Sequence, residues 1–439
     1  MGPIVRRRRW TALLAQLLVL VATASPASGS AGDLDPSFSG DGIVQRRLGR
    51  VPTSIAALVR VPHGDIVAAA NVGCCGGQDV AIAGFDSAGA LDPSFGNGGM
   101  GFIDTGETDR VIWIGRDHAD RIVVVGYRQL FGSACRYEVC INLLLARFLA
   151  DGSPDPSYGD GGVITIDSAL DRFPLDAAID EEGRLVLIIR MEERDETDRT
   201  VVARFLDDGS PDPEFGTGGS VTFSEPKQAV VVALDVRGRI VLAGAIARGG
   251  ETPAPLVARL LPSGEPDTSF SGNGILPIRA WPGAAEGDRG AFHALAIDAD
   301  GRILAAGDHA IDGEARIAIA RIASAGHLDR TFSDDGALDL DSPRTSSAIE
   351  WIGADDRGRV VFAGTAQGIT LWDVVVGRVT GDGIPDPAFG GDGVIRTDVD
   401  AYQDFANDAL IDGRGRLLVG GGTDDGTEGD VGLLLRYLS

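Results

Sequence analysis

Asp155-Pro156-Ser157-Tyr158, with Gly162 four residues on and the apolar run Val163-Ile164-Thr165-Ile166 behind it, is a phrase that the chain writes seven times. It recurs as Asp35-Pro36-Ser37-Phe38 before Gly42, Asp92-Pro93-Ser94-Phe95 before Gly99 and Asp212-Pro213-Glu214-Phe215 before Gly219. Three looser copies follow: Asp267-Thr268-Ser269-Phe270 before Gly274, Asp329-Arg330-Thr331-Phe332 before Gly336, and Asp386-Pro387-Ala388-Phe389 before Gly393. The marker Asp thus falls at 35, 92, 155, 212, 267, 329 and 386, at intervals of 55 to 63 residues. That period is too long for a leucine-rich coil and suits a propeller blade of four strands.

Each unit repeats the same parts. A short apolar strand follows the marker Gly. A second strand runs into a polar turn such as Asp298-Ala299-Asp300-Gly301-Arg302, and a third, such as Ile240-Val241-Leu242-Ala243-Gly244, leaves it. After a variable loop comes a fourth strand with one Arg, as in Val202-Ala203-Arg204-Phe205. Short runs of Val, Ile and Leu between Gly and Asp turns are antiparallel-strand signals.

In five units that Arg precedes the next marker Asp by eight residues: Arg147 and Asp155, Arg204 and Asp212, Arg259 and Asp267, Arg321 and Asp329, Arg378 and Asp386. Gly84 takes the Arg place before Asp92. Asp35 has no Arg before it and Arg436 no Asp after it, so a ring that brings these two together resolves both. The expected fold is all-β: a seven-bladed propeller of four-stranded antiparallel blades, whose closing blade joins one N-terminal strand to three C-terminal ones. Closure removes the exposed sheet ends of an open solenoid. The pairs are expected to be structural, because a feature repeated in nearly every blade serves the blade; the marker Asp can also cap its own turn.

The phrase and its order resemble the delta-60 repeat family, bacterial repeat proteins of unknown function thought to form β-propellers. The resemblance runs from about Asp33 to Ser439, with departures at Gly84, Asp120-Arg121 and Arg330. It implies no activity.

Composition bounds the rest. With 44% hydrophobic residues, 23% charged and 62 Gly, about twice the usual share, the chain is globular and rich in turns. Its 64 acidic against 39 basic residues give a formal charge of -25, which disfavours nucleic acid and anionic lipid as partners. Arg6 to Arg9, the apolar run from Ala12 to Ala22 and Ala22-Thr23-Ala24 read as a secretory signal over residues 1–24. A flexible linker (25–32) and the propeller (33–439) follow. The mature protein is expected to be exported to the periplasm or beyond, without a transmembrane segment, and monomeric. Four Cys in such a protein suggest disulfides among Cys74, Cys75, Cys135 and Cys140, with the pairing open.

Function is sought where the repeats differ. Aligned second strands place Ala56, Ile112, Leu175, Val230, His293, Glu350 and Asn407 at one position. Lining a channel, His293, Glu350 and Asn407 form a polar sector with Asp408 beside it. Glu350 and Asn407 oxygens would suit a hard cation such as Ca2+. The acidic stretches Asp398, Asp400 and Asp404, and Asp424-Asp425-Gly426 with Glu428 and Asp430, do not fit a twelve-residue calcium loop. His293 and His309 with nearby Asp are the nearest approach to an acid-base pair. No nucleophile elbow or phosphate loop appears. The reading is a scaffold that binds a protein or glycan through variable loops, with no catalytic residues assigned; a metal-assisted hydrolase or lactonase at the channel is the alternative.

Overall fold

The computed structural model describes residues 29–439 except 50–52, 63–64, 74–76, 132–138, 168–170, 193–197, 224–227, 247–252, 279–280, 282–288, 312–313, 342–346, 368–370, 400–401, 425 and 427–429. The expected signal, Cys74, Cys75, Cys135, Asp400, Asp425 and Glu428 lie outside the described residues. Strands make seven antiparallel sheets, and no helix among the described residues is long and apolar enough to cross a membrane. The first sheet runs Thr53–Arg60, Ile66–Val72, Asp79–Phe85, Met100–Ile103, and the others follow the same order. One blade therefore combines three strands of a sequence unit with the first strand of the next. In the fifth blade the two-residue strand His327–Leu328 adds a further pairing. The last sheet sets Ile43–Arg46 against Asp430–Tyr437, Ile43 opposite Leu435.

Period-two alternation explains why the middle strands are apolar on both faces. Within Ile66–Val72, Ile66, Ala68 and Ala70 pack with Leu418 and Leu434 of the seventh blade. Val67 and Ala69 pack with Val111, Ile122 and Val124 of the second. A strand buried between two neighbours has no polar face to show.

The repeated phrase is the joint between blades. Strand Arg Nε donates to marker Asp Oδ2 at 2.7 Å for Arg147 with Asp155 and Arg204 with Asp212. It does so at 2.8 Å for Arg259 with Asp267, Arg321 with Asp329 and Arg378 with Asp386, and at 2.9 Å for Arg436 with Asp35. The other carboxylate oxygen caps the turn, as Asp267 Oδ1 does by accepting from Ser269 N at 3.0 Å. Each of these guanidinium groups lies over its marker ring, from 4.3 Å for Arg436 on Phe38 to 4.9 Å for Arg321 on Phe332. Nη1 reaches into the next blade: Arg259 donates to the Ser324 carbonyl at 2.6 Å. The aromatic ring packs there too, against a turn Gly with positive φ. At Gly326 (φ 83°) a Cβ would meet the Phe270 ring at 2.9 Å. The last such contact is Phe389 on Gly32, so Gly32, placed in the linker by sequence, is already part of the closing joint.

Gly84 departs from this for a visible reason. A Cβ there would lie 2.6 Å from Phe95 Cγ, so the ring fills the space that Arg occupies elsewhere. Asp92 then keeps only its turn, accepting from Ser94 N at 2.9 Å and Ser94 Oγ at 2.7 Å. Writing the missing residue back, Gly84→Arg, is expected to destabilise by roughly 1–3 kcal/mol through overpacking. Urea unfolding checks it, and a raised midpoint would contradict it.

Candidate functional site

The innermost strands are Thr53–Arg60, Thr108–Arg116, Asp171–Ile179, Gln228–Leu234, Arg289–Ile297, Ser347–Ala354 and Asp404–Ile411. Each carries one β-bulge, and the pairing skips the same position in all seven: Ala56, Ile112, Leu175, Val230, His293, Glu350 and Asn407. A bulge leaves one residue unpaired and re-aims its side chain. All seven of these residues line one central cavity of about 490 Å3. The column singled out by sequence is the bulge column.

Three polar members sit side by side on the fifth, sixth and seventh blades. His293 Nε2 lies 2.6 Å from Asp308 Oδ1 on the adjacent strand Ile303–Ile311. That hydrogen bond raises the His293 pKa above its ordinary value against the opposing effect of burial, and the charges of Asp308 and Glu350 add to it. Glu350 is exposed to the channel and has no hydrogen bond to a described residue. It is nonetheless ringed by protein, and this desolvation raises its pKa, with His293 acting the other way. Asn407 Nδ2 donates to Ile55 O at 2.8 Å and to Ser54 Oγ at 3.2 Å, tying the seventh blade to the first.

Asp408 follows the bulge. Its Oδ2 accepts from Leu58 N of the first blade at 2.7 Å and its Oδ1 from Ala409 N at 2.8 Å. Sequence reasoning missed its twin, Asp176, which accepts from Val232 N of the next blade and from Ala177 N, both at 2.8 Å. Desolvation pushes both carboxyls up to about 7 against the lowering effect of those backbone bonds, and the charge of Asp408 adds to the rise at Asp176.

A pH profile follows. A carboxyl whose pKa is raised in the folded protein holds its extra proton between 3.8 and about 7, so its stabilising contribution is complete below 3.8 and is lost as pH rises to about 7. At the joints the sign is opposite. Burial works to raise the pKa of Asp155, Asp267 and Asp329, but bonds from Ser157, Ser269 and Thr331 and from the paired Arg outweigh it and hold them below 3.8. Their contribution is present above 3.8 and lost below it. Thermal melting across pH 3 to 9 should therefore peak between about 4 and 6. A maximum at or above pH 8 would contradict these assignments.

The other expected residues lie elsewhere. His309, 2% exposed, faces away from Asp308 and packs on Trp281, ring centroids 5.3 Å apart, beside Asp339. Asp398 and Asp404 join Asp373, with oxygens within 4.8 Å of one another, and Asp79, Asp104 and Asp109 form the same arrangement between the first two blades. Neither trio is in the channel. Arg396 lies 3.4 Å from Asp373, so one trio already holds a cation. Asp424 pairs with Asp430 across a hairpin, and burial first, then the Asp424 charge, raises the Asp430 pKa. Cys140 lies on Val139–Phe148. Chemically, the channel wall offers a His-carboxylate pair, further carboxyls and an amide, but no Ser, Thr, Cys, Lys or Arg among the described lining residues.

A family model described as "Domain of unknown function (DUF5122) beta-propeller" matches residues 238–270 and 299–332, two stretches that each run from the Asp-to-Arg turn region to a marker aromatic. No curated protein matches the sequence. Among solved structures, Sqt1 of Chaetomium thermophilum is similar at 12% identity over 89% of this chain and 96% of that one, with a TM-score of 0.47. The polysaccharide lyase Uly1 shares 11% identity over 88% and 90%, TM-score 0.47. A PQQ-bound aldose sugar dehydrogenase from Streptomyces coelicolor shares 12% over 90% and 97%, TM-score 0.40. At such identities and scores these likenesses carry no functional argument. The chain is a seven-bladed β-propeller built from repeats, two of which match the DUF5122 β-propeller model.

Proposed function

We propose that the protein is an exported recognition scaffold that binds a protein or glycan partner through the variable connectors of one face. One observation carries the reading: variation in connector length is gathered on a single side of the ring. Antiparallel alternation puts the Asp-to-Arg turns and the marker phrases on one face. These are near copies, as in Arg184 Nε to Asp180 and Arg239 Nε to Asp235, each at 2.6 Å. Connectors on the other side run from residues 312–313 to 132–138 within blades, and from 104–107 to 278–288 between blades. A ring needs identical joints but has no structural use for unequal loops, and binding residues concentrate in loops on rigid frames. Export and a disulfide among Cys74, Cys75, Cys135 and Cys140 belong to this reading, resting on the signal-like N-terminus and on Cys usage.

The test is a glycan and peptide array probed with the mature protein and with a variant whose residues 132–138 and 247–252 are replaced by short Asn-Gly connectors. Specific binding in the first, lost in the second with an unchanged melting temperature, is expected. No binding by the native chain, or binding that survives the exchange, would overturn the reading.

A metal-assisted hydrolase or lactonase at the channel is the second reading, favoured by the 2.6 Å contact of His293 with Asp308 next to Glu350. It requires retained metal and activity lost on Glu350→Ala; a metal-free protein whose melting calcium does not shift would count against it.

A further inference from the structure

We propose that the central channel binds a small organic cation, a protonated amine carrying an apolar body. This inference is independent of the loop face. Charge comes first. Glu350, Asp408 and Asp176 border the cavity, Asp308 stands behind His293, and no Lys or Arg is among the described lining residues. At the blade joints buried carboxylates are matched by Arg, six times among the described residues. The channel carboxyls lack such a partner, and Glu350 has no hydrogen bond to a described residue. Their raised pKa values are the expected mark of acids drawn away from water with no counter-charge beyond His293, which acts on Glu350 alone. A bound cation would supply it.

Shape and wall chemistry select the class of cation. Opposite the polar sector the bulge column is apolar: Ile112, Leu175 and Val230. Trp113 and Trp351 hold the position after the bulge, each ring lying along its strand over Gly115 or Gly353, where a Cβ would meet it at 2.0 or 2.6 Å. Indole and aliphatic walls suit an apolar body, and indole faces favour an ammonium head. A bare divalent ion would want several hard oxygens converging at about 2.3–2.6 Å. The described acidic or His trios whose ligand atoms come within 4.8 Å of one another lie outside the channel. A cavity of about 490 Å3 with His293, Glu350 and Asn407 grouped on one wall is instead of the size that takes a small organic molecule.

Calorimetric titration of the mature full-length protein with benzylamine, its neutral counterpart benzyl alcohol, and calcium chloride tests the proposal. Benzylamine is expected to bind at least about tenfold tighter than benzyl alcohol. Glu350→Gln should reduce that preference to within about twofold without lowering the melting temperature, since no hydrogen bond is lost. Val230→Trp, which fills the apolar wall, should abolish binding of both organic probes. Equal affinity for amine and alcohol, an amine affinity unmoved by Glu350→Gln, or binding by neither organic probe would overturn the proposal. So would calcium binding that depends on Glu350 and displaces the amine.

Discussion

Arg436→Ala is expected to cost about 3 kcal/mol in unfolding free energy, the low end for a broken buried pair, because it strips a buried carboxylate of one of its two Arg partners. Asp35 is 3% exposed and Arg436 2%. Arg436 donates from Nε to Asp35 at 2.9 Å and from Nη2 to Ser37 Oγ at 3.0 Å, and covers the Phe38 ring. Burial works to raise the Asp35 pKa, yet the Ser37 hydroxyl and amide and the charges of Arg436 and Arg416 outweigh it and hold it below 3.8. Arg416, 2.7 Å from Asp35, softens the loss but does not replace the strand Arg, whose Nη1 also reaches the Ser87 carbonyl of the first blade. Denaturant unfolding measures the loss, and Asp92→Ala is the control. Asp92 has no Arg partner at Gly84, so its substitution should move stability only by the worth of its turn cap, on the order of 1 kcal/mol. Equal losses for the two variants would mean that the ion pair contributes little.

Phe270→Ala is the second large effect, expected at about 3–5 kcal/mol. The ring is 0% exposed and fills the space between the fourth and fifth blades, in contact with Gly326 and with the Arg259 guanidinium 4.6 Å from its centroid. Its removal leaves a cavity and at the same time uncovers Arg259, which is tied to Ser324 across the joint. Substitution by Leu should recover part of the loss, since volume is partly restored while the cation-π contact is not. Chemical denaturation of the two variants checks this, and an Ala variant within about 1 kcal/mol of wild type would contradict the joint described here.

The joints were legible because their parts lie close in sequence. An Arg eight residues before an Asp, on the strand that leads to the marker turn, has one geometry in the five units that carry it, and the two unmatched members at Asp35 and Arg436 pointed to the ring. The channel was legible only as a column. His293, Glu350 and Asn407 stood out because their equivalents are apolar, whereas the bulge that turns them inward depends on the partner strand and has no marker of its own. Asp176 escaped because it sits one position beyond that column, where Asp recurs only in Asp408; aligning Leu175-Asp176-Ala177 with Asn407-Asp408-Ala409 would have exposed it. Asp373 was hidden by distance. Pairing of Trp372–Val379 with Val394–Thr397 brings it to Asp398, and the start of the following inner strand adds Asp404. Gly84 read as a lost ion pair, while the compensating position of Phe95 is a matter of packing.

A double-mutant cycle between Asp35 and Arg436 tests most directly that the seven units close into one ring through the two ends of the chain. The residues lie at opposite ends of the sequence and meet only if Ile43–Arg46 completes the last blade. Unfolding free energies of wild type, Asp35→Ala, Arg436→Ala and the double variant are expected to show a coupling of about 1–3 kcal/mol. Single losses that add to within about 0.5 kcal/mol would contradict the closed ring.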